Sequence, residues 1–252
     1  MIIEQRLSLI QNYLRRQTTA SIEQLSELLN VSKDTVRRDL MKLEKDRLVR
    51  RCRGGVTLAD KDAQILNYSE RSQTAEQAKE KIALAALKLI HPGDKVIFDA
   101  STTVETLIRR LNNLPILAIT NSLTHAVHLA TWPNVEIKVT GGNLKKDHLF
   151  LYGENTLATL ARYRADLAFI GVFSLSDQGM MIHTEEEGLV KAQMMQHAKK
   201  VVALADASKM NTHGFYNISE LSAINTLITD VVPDDNLCRA LKEANVELIV
   251  AG

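Results

Sequence analysis

With 252 residues and 45% hydrophobic content, the chain has room for one large domain or two smaller ones and the make-up of a globular protein. No apolar run approaches the roughly 18 residues needed to span a bilayer. The amphipathic start MIIEQRLSLIQNYLRR lacks a small-residue cleavage site, and Cys52 and Cys238 share no metal-type spacing, so the expected location is cytoplasmic, with no membrane association and no metal. The net charge of +1 conceals an asymmetry: residues 1–57 carry 12 Lys/Arg against 7 Asp/Glu, and the remainder 19 against 23. A basic head on a mildly acidic body points to an anionic polymer as partner of the head alone.

In chain order, Ile3, Leu7, Ile10 and Leu14 mark one face of a first helix, with Arg6, Gln11 and Arg15 opposite. Ser21 and Gln24 form a capping box opening a second helix, whose stripe is Ile22, Leu25, Leu28 and Leu29. Asn30 ends it, since Asn tolerates the left-handed conformation. Ser32 caps a third helix with Asp34 in its first turn and Val36, Leu40 and Leu43 facing inward. Lys33, Thr35, Arg37, Arg38 and Lys42 are then left for a groove or its phosphate walls, while Asp39 is expected to pair with a nearby arginine. Leu48 and Val49 start a strand, and Arg50, Arg51 and Arg53 precede the turn signal Gly54-Gly55. Two helices in a tight turn, the second basic, followed by a basic hairpin, form the layout of a winged helix-turn-helix that reads double-stranded DNA. The competing reading is a solvated three-helix domain that binds protein.

The segment VSKDTVRRDLMKLEKDRLVRRCRGGV resembles the N-terminal signature of the DeoR family of bacterial sugar-metabolism regulators. Arg47 stands where that pattern usually has glycine, and Arg53 where it often has histidine. Both changes add positive charge.

Residues 58–75 are polar and weakly patterned and read as an extended linker; Glu70 and Arg71 either dock on the body or are solvated. From Glu76 the rhythm changes. Ala78, Ile82, Ala85 and Leu89 mark a helix stopped by His91-Pro92-Gly93. KVIFD, ILAIT, VEIKVT, LAFIG, VVALAD, TLIT and VELIVA follow as short, β-branched runs, mostly separated by helical segments. The expected architecture is therefore an α/β domain with a largely parallel sheet over 76–252, preceded by the small winged helix-turn-helix of 1–57.

Ligands of such sheets bind beyond the carboxyl ends of the strands. Those ends carry Asp99 with Ser101-Thr102-Thr103, then Thr120-Asn121, Gly141-Gly142, Gly171, and Asp206 with Lys209. Hydroxyls and free amides at a helix start suit a phosphate, and Lys191 and Lys209 add positive charge. Each item also has a plain structural use: Ser/Thr clusters cap helices, Gly-Gly makes a turn, and Glu185-Glu186-Glu187 complements a helix dipole. His125 and His128 share a helix face without a third ligand and read as core or surface.

The family resemblance extends through this body. It is carried by Lys79 before Ile-Ala, Asp99–Thr103, Thr120-Asn121, Gly141-Gly142, Asp166–Gly171, Glu186-Glu187 with Lys191, Asp206–Lys209 and Thr229-Asp230. Ser101 and Ser174 replace glycines usual in the family. The resemblance implies a sensor domain similar to ribose-5-phosphate isomerase, taking a phosphorylated sugar as effector. The effector residues are then Asp99, Ser101, Thr102, Thr103, Thr120, Asn121, Gly141, Gly142, Glu186, Lys191, Asp206 and Lys209. The expected function is a transcriptional regulator without cofactor, a repressor of a carbohydrate-utilisation operon acting as a homo-oligomer. The alternatives are an isomerase-type enzyme using Asp99, Glu186, Asp206 and Lys209, and a DNA-binding protein with no ligand.

Overall fold

Two stretches of different periodicity fold as separate units, Met1–Ile65 and Leu66–Gly252. The computed structural model describes residues 3–17, 19–45, 48–52, 55–58 and 68–252. In the first unit, apolar residues three and four apart make the helices α1 (Ile3–Gln17), α2 (Ile22–Leu29) and α3 (Lys33–Lys45). The strands β1 (Thr19–Ala20), β2 (Val49–Cys52) and β3 (Gly55–Leu58) form an antiparallel sheet with β3 in the middle. Ser21 and Gln24 close the capping box in both directions, at 3.1 and 2.8 Å. Asn30 holds φ 50° and ψ 49°, and the Ser32 hydroxyl accepts from the Thr35 amide at 3.3 Å. At Gly55 a Cβ would stand 2.2 Å from the Ala20 carbonyl oxygen, so only glycine lets β3 lie against β1 there.

Ile10, Leu14, Leu25, Leu29, Val36, Leu40 and Leu43 pack into one core with Val49 and Val56. Two residues expected in the stripes are outside it: Ile3 and Leu28 are exposed. The core of so small a unit is narrow. It accepts Leu25 and Leu29, one turn apart, and leaves Leu28 about 100° around the helix. Arg6, assigned to the polar face of α1, instead donates to both oxygens of buried Asp39 on α3, at 2.7 and 3.0 Å. That fork fixes α1 across α3 and is the arginine partner expected for Asp39.

The second unit is built on seven strands: β4 (Lys95–Phe98), β5 (Leu117–Thr120), β6 (Glu136–Val139), β9 (Ala165–Gly171), β12 (Ala198–Ala205), β14 (Thr226–Thr229) and β15 (Glu247–Val250). They lie in the order β15-β14-β12-β9-β4-β5-β6, and every pairing is parallel. Alternation of side chains divides them between two cores. Val96, Phe98, Phe169, Val202, Leu204 and Ile228 meet α5 (Glu76–Leu87), α6 (Thr102–Arg109) and α7 (Leu123–Leu129). Ile97, Ile119, Ile170, Ala203 and Leu227 meet α8 (Glu154–Leu160), α9 (Glu185–Gln196) and α10 (Asp235–Glu243).

Two smaller sheets were not legible in the sequence. The hairpin of β7 (Asn143–Lys145) and β8 (Phe150–Tyr152) bonds across Asn121 and Leu123, with the Leu151 amide on Asn121 O at 2.7 Å. The strands β10 (Ser174–Ser176), β11 (Gly179–Ile182) and β13 (Tyr216–Ser219) form an antiparallel trio against α9. The expectation of an extended connector over 58–75 also needs correction, because Tyr68–Gln73 is a helix, α4. Its polar residues find hydrogen-bond partners on the second unit, which a reading of hydrophobic periodicity does not register.

Candidate functional site

Two surfaces carry chemistry, one on each unit. On the first, α3 buries Val36, Asp39, Leu40 and Leu43 and turns Lys33, Arg37, Arg38 and Lys42 outward, with Thr35 half-buried. Lys33 pairs with Glu23 and Arg37 with Asp34, each at 2.7 Å and exposed, so both can be exchanged for a phosphate at little cost. Arg38 and Lys42 make no ion pair among the described residues and lie one turn apart. Ser32 is committed to the cap. Arg50 and Arg51 lie on β2; their side chains, and Arg53 with Gly54, are outside the described residues.

On the second unit, the carboxyl edge of the sheet gathers most of the expected effector residues, in distinct roles. Asp99, at the end of β4, accepts from the Ser101 amide at 3.1 Å and from the ammonium of Lys191. Lys191, on α9, also donates to Gly171 O at 2.9 Å, and Glu187 lies 3.7 Å away. Both Lys191 and Asp99 are buried. Lys191 was expected to offer charge to a ligand, but its ammonium is enclosed as a tie between α9, β4 and β9. Gly171 makes room for Ser101, since a Cβ there would stand 2.0 Å from Ser101 Oγ. The Ser101 hydroxyl caps α6 by accepting from the Val104 amide at 3.2 Å. Thr102 and Thr103 follow it, buried, in the first turn.

Thr120 accepts from the Ser122 amide at 3.1 Å. Asn121 donates to Leu151 O at 3.0 Å, while its Oδ1 is buried without a partner among the described residues. Gly141 and Gly142 are exposed past β6, with Gly141 O accepting from Thr156. Asp206 caps the 3-10 turn Ala207–Lys209. The Lys209 ammonium lies 5.8 Å from the centre of the Phe173 ring. Glu186 is exposed in the first turn of α9 and is not brought to Lys191; Glu187 is. His125 is fully buried, its Nε2–H donating to Ser101 O at 3.2 Å, and burial pushes its pKa down to about 4. It is a neutral core residue.

The residues that sequence reasoning left out of the site are Lys79 and Arg71. Lys79 is 5% exposed, and its ammonium donates to the backbone carbonyl of Arg71. Burial lowers its pKa to about 8; Lys209 and Arg71 push in the same direction, opposed by Asp206 and Glu105. The two acids are already engaged. Asp206 holds its turn, and Glu105 holds Arg109, Thr124 and Tyr68. Burial pushes the Glu105 carboxyl up, but hydrogen bonds from Thr124 and Tyr68 outweigh it, leaving the group below the ordinary range. Arg71 has a buried Nε without a partner among the described residues and meets His148 Nδ1 through Nη2 at 3.3 Å. Lys79 thus feels two further cations, Arg71 and Lys209, as well as the two acids, and among the described residues none of the three cations makes an ion pair. The signal for Lys79 was present: it occupies the same helical stripe as Ile82, Ala83 and Ala86, at spacings of three, four and seven.

If Lys191 is a structural tie, Lys191→Met leaves a buried carboxylate unpaired and costs about 3–5 kcal/mol. The double change Lys191→Met with Asp99→Asn recovers most of that loss. Denaturant midpoints of the three proteins check this.

A profile described as the DeoR-like helix-turn-helix domain matches residues 6–62, and one described as the DeoR C terminal sensor domain matches residues 74–231. Over 250 residues the chain is 44% identical to the HTH-type transcriptional repressor GlcR of Bacillus subtilis (strain 168), covering 99% of this chain and 97% of that one. It is 31% identical over 235 residues to the HTH-type transcriptional repressor CsqR of Escherichia coli (strain K12), covering 91% and 88%. It is 26% identical over 246 residues to the glycerol-3-phosphate regulon repressor of the same strain, covering 97% of each. Among solved structures, ribose 5-phosphate isomerase A of Methanocaldococcus jannaschii aligns over 54% of this chain and 55% of that one, at 20% identity and a TM-score of 0.40.

Proposed function

The chain belongs to the DeoR family of helix-turn-helix transcriptional regulators, and from that premise we propose that it is a repressor released from its operator by a phosphorylated sugar. A member of this family is a DNA-binding regulator and not an enzyme. α3 enters the major groove with Thr35, Arg38 and Lys42, while Lys33, Arg37 and the arginines of the β2–β3 wing hold phosphates. Two copies bind a two-fold operator, since half-sites mirror protein symmetry. The effector lies beyond the strand ends of the second unit, its phosphate among Arg71, Lys79 and Lys209 and its hydroxyls toward Thr102, Asp206 and the Asn121 amide.

The observation that carries this reading is the cationic trio. A buried lysine that spends its charge on a carbonyl, beside two further cations, is stabilised by any anion placed among them. The named relatives give independent support, one of them being a repressor of a glycerol-3-phosphate regulon.

The reading is tested by melting the protein in a panel of ribose 5-phosphate, hexose 6-phosphates and glycerol 3-phosphate, then adding the best stabiliser to a gel shift. The expected result is stabilisation by at least one member and release of DNA by the same compound. A panel that leaves the melting temperature unmoved favours a DNA-binding protein without ligand.

Two further outcomes are expected. On duplexes selected from a random pool, Arg38→Ala weakens binding by about 1–3 kcal/mol and relaxes the preference at one position. Unchanged affinity and selectivity would show that α3 does not read the groove. For the effector site, Lys79 has its folded pKa depressed to about 8, with Asp206, Glu105, Lys209 and Arg71 facing it. Above that pH the free protein loses the ammonium, and binding a phosphate dianion requires its recovery. Affinity therefore falls as pH rises from 8, by up to about tenfold per unit. Titration calorimetry between pH 7 and 9.5 measures the slope, and Lys79→Met flattens it.

A further inference from the structure

α4 is docked on the second unit with no residue fully buried; Tyr68, Arg71 and Ser72 are half-buried. Its fastenings are polar. The Tyr68 hydroxyl sits 2.9 Å from each carboxylate oxygen of buried Glu105, and the Tyr68 amide donates to Asp147 O at 2.9 Å. Arg71 O accepts from the Lys79 ammonium and, at 3.5 Å, from the Thr102 hydroxyl. The Arg71 guanidinium reaches His148 on the β7–β8 hairpin. A helix of six residues is too short to persist alone. Docking therefore rests largely on a few bonds of modest net strength, with no fully buried apolar residue behind them.

The same bonds place the Arg71 carbonyl against Lys79 and Thr102, while its Nε is buried and, among the described residues, without a partner. An anion seated with Lys79 and Lys209 gains the guanidinium only while α4 is docked. That contact exists in one state of α4 and not in the other, which is the condition for a ligand to shift an equilibrium. In the chain, α4 follows directly on residues 59–67, which join it to the DNA-binding unit.

We propose that α4 is a strap pinned by the effector: an anion bridging Arg71 and Lys79 shifts α4 to its docked position and so fixes the point from which the DNA-binding unit is tethered. Tyr68 is a positioning residue in this device, since its hydroxyl touches Glu105 and it holds the strap through that carboxylate. The proposal rests on the anion reading of the site given above, and adds how occupancy is reported along the chain.

The test uses the full chain and inorganic phosphate, compared with chloride at equal ionic strength. Hydrogen exchange of residues 68–75 is followed by mass spectrometry, and binding is read separately from the melting temperature. The expected result is a higher melting temperature together with several-fold slower exchange across 68–75. Phosphate that stabilises the protein while leaving that exchange unchanged overturns the strap and leaves the anion site standing. Failure of phosphate and of every sugar phosphate to stabilise the protein rejects the site and the strap together. In Tyr68→Phe, the lost bond to a carboxylate weakens phosphate binding by about tenfold and speeds exchange in 68–75. The melting temperature of the ligand-free variant stays near that of the parent, which separates positioning from a general loss of stability. Unchanged phosphate affinity in Tyr68→Phe also overturns the proposal.

Discussion

A charge removed from water must find a partner, and the second unit is organised around that requirement. Lys191 and Asp99 satisfy each other at the centre of the carboxyl edge, joining α9 to β4 and, through Gly171 O, to β9. With that tie made, the strand ends on either side are held in place, and the loops that leave them are aimed by it. Lys79 is the contrasting case. It is nearly as buried, yet its ammonium meets only a carbonyl, and its nearest acids serve other groups. One buried lysine is therefore paired with a carboxylate and the other with a carbonyl, and it is the second that we propose takes an anion.

The first unit applies the same rule at smaller scale. Asp39 is the one acid on α3 that is buried, and Arg6 from α1 closes on it with two bonds. This arrangement consumes an inward-facing charge and leaves the outward cations of α3 to solvent and to solvated pairs. A recognition helix needs that division: a rigid apolar back, and a face whose charges are cheaply redirected to phosphate. The second unit couples to it through sequence connectivity, with α4 as its first element. α4 is held by polar bonds and has no fully buried residue, the kind of segment from which moving parts are drawn.

The winged helix-turn-helix and the seven parallel strands could be read directly from the chain. Both depend on local periodicity, on caps such as Ser21 with Gln24, and on β-branched runs such as KVIF and VVALA, which bury themselves wherever they are placed. The identity of the strand ends, and with it the edge that would carry a ligand, followed from the parallel order. What each residue at that edge does was settled by contacts between segments far apart in sequence. Lys191 reads as a charge offered to a ligand until Asp99, 92 residues away, is seen to pair with it. Arg71 reads as linker until its carbonyl is found on Lys79, and Glu186 and Glu187 are indistinguishable until the turn of α9 selects the second. Spacing along a chain encodes which face a residue occupies, because helix and strand repeats are short-range. It does not encode which distant charge will be desolvated beside it, and only the tertiary structure decides whether a buried lysine meets a carboxylate, as Lys191 does, or a carbonyl, as Lys79 does.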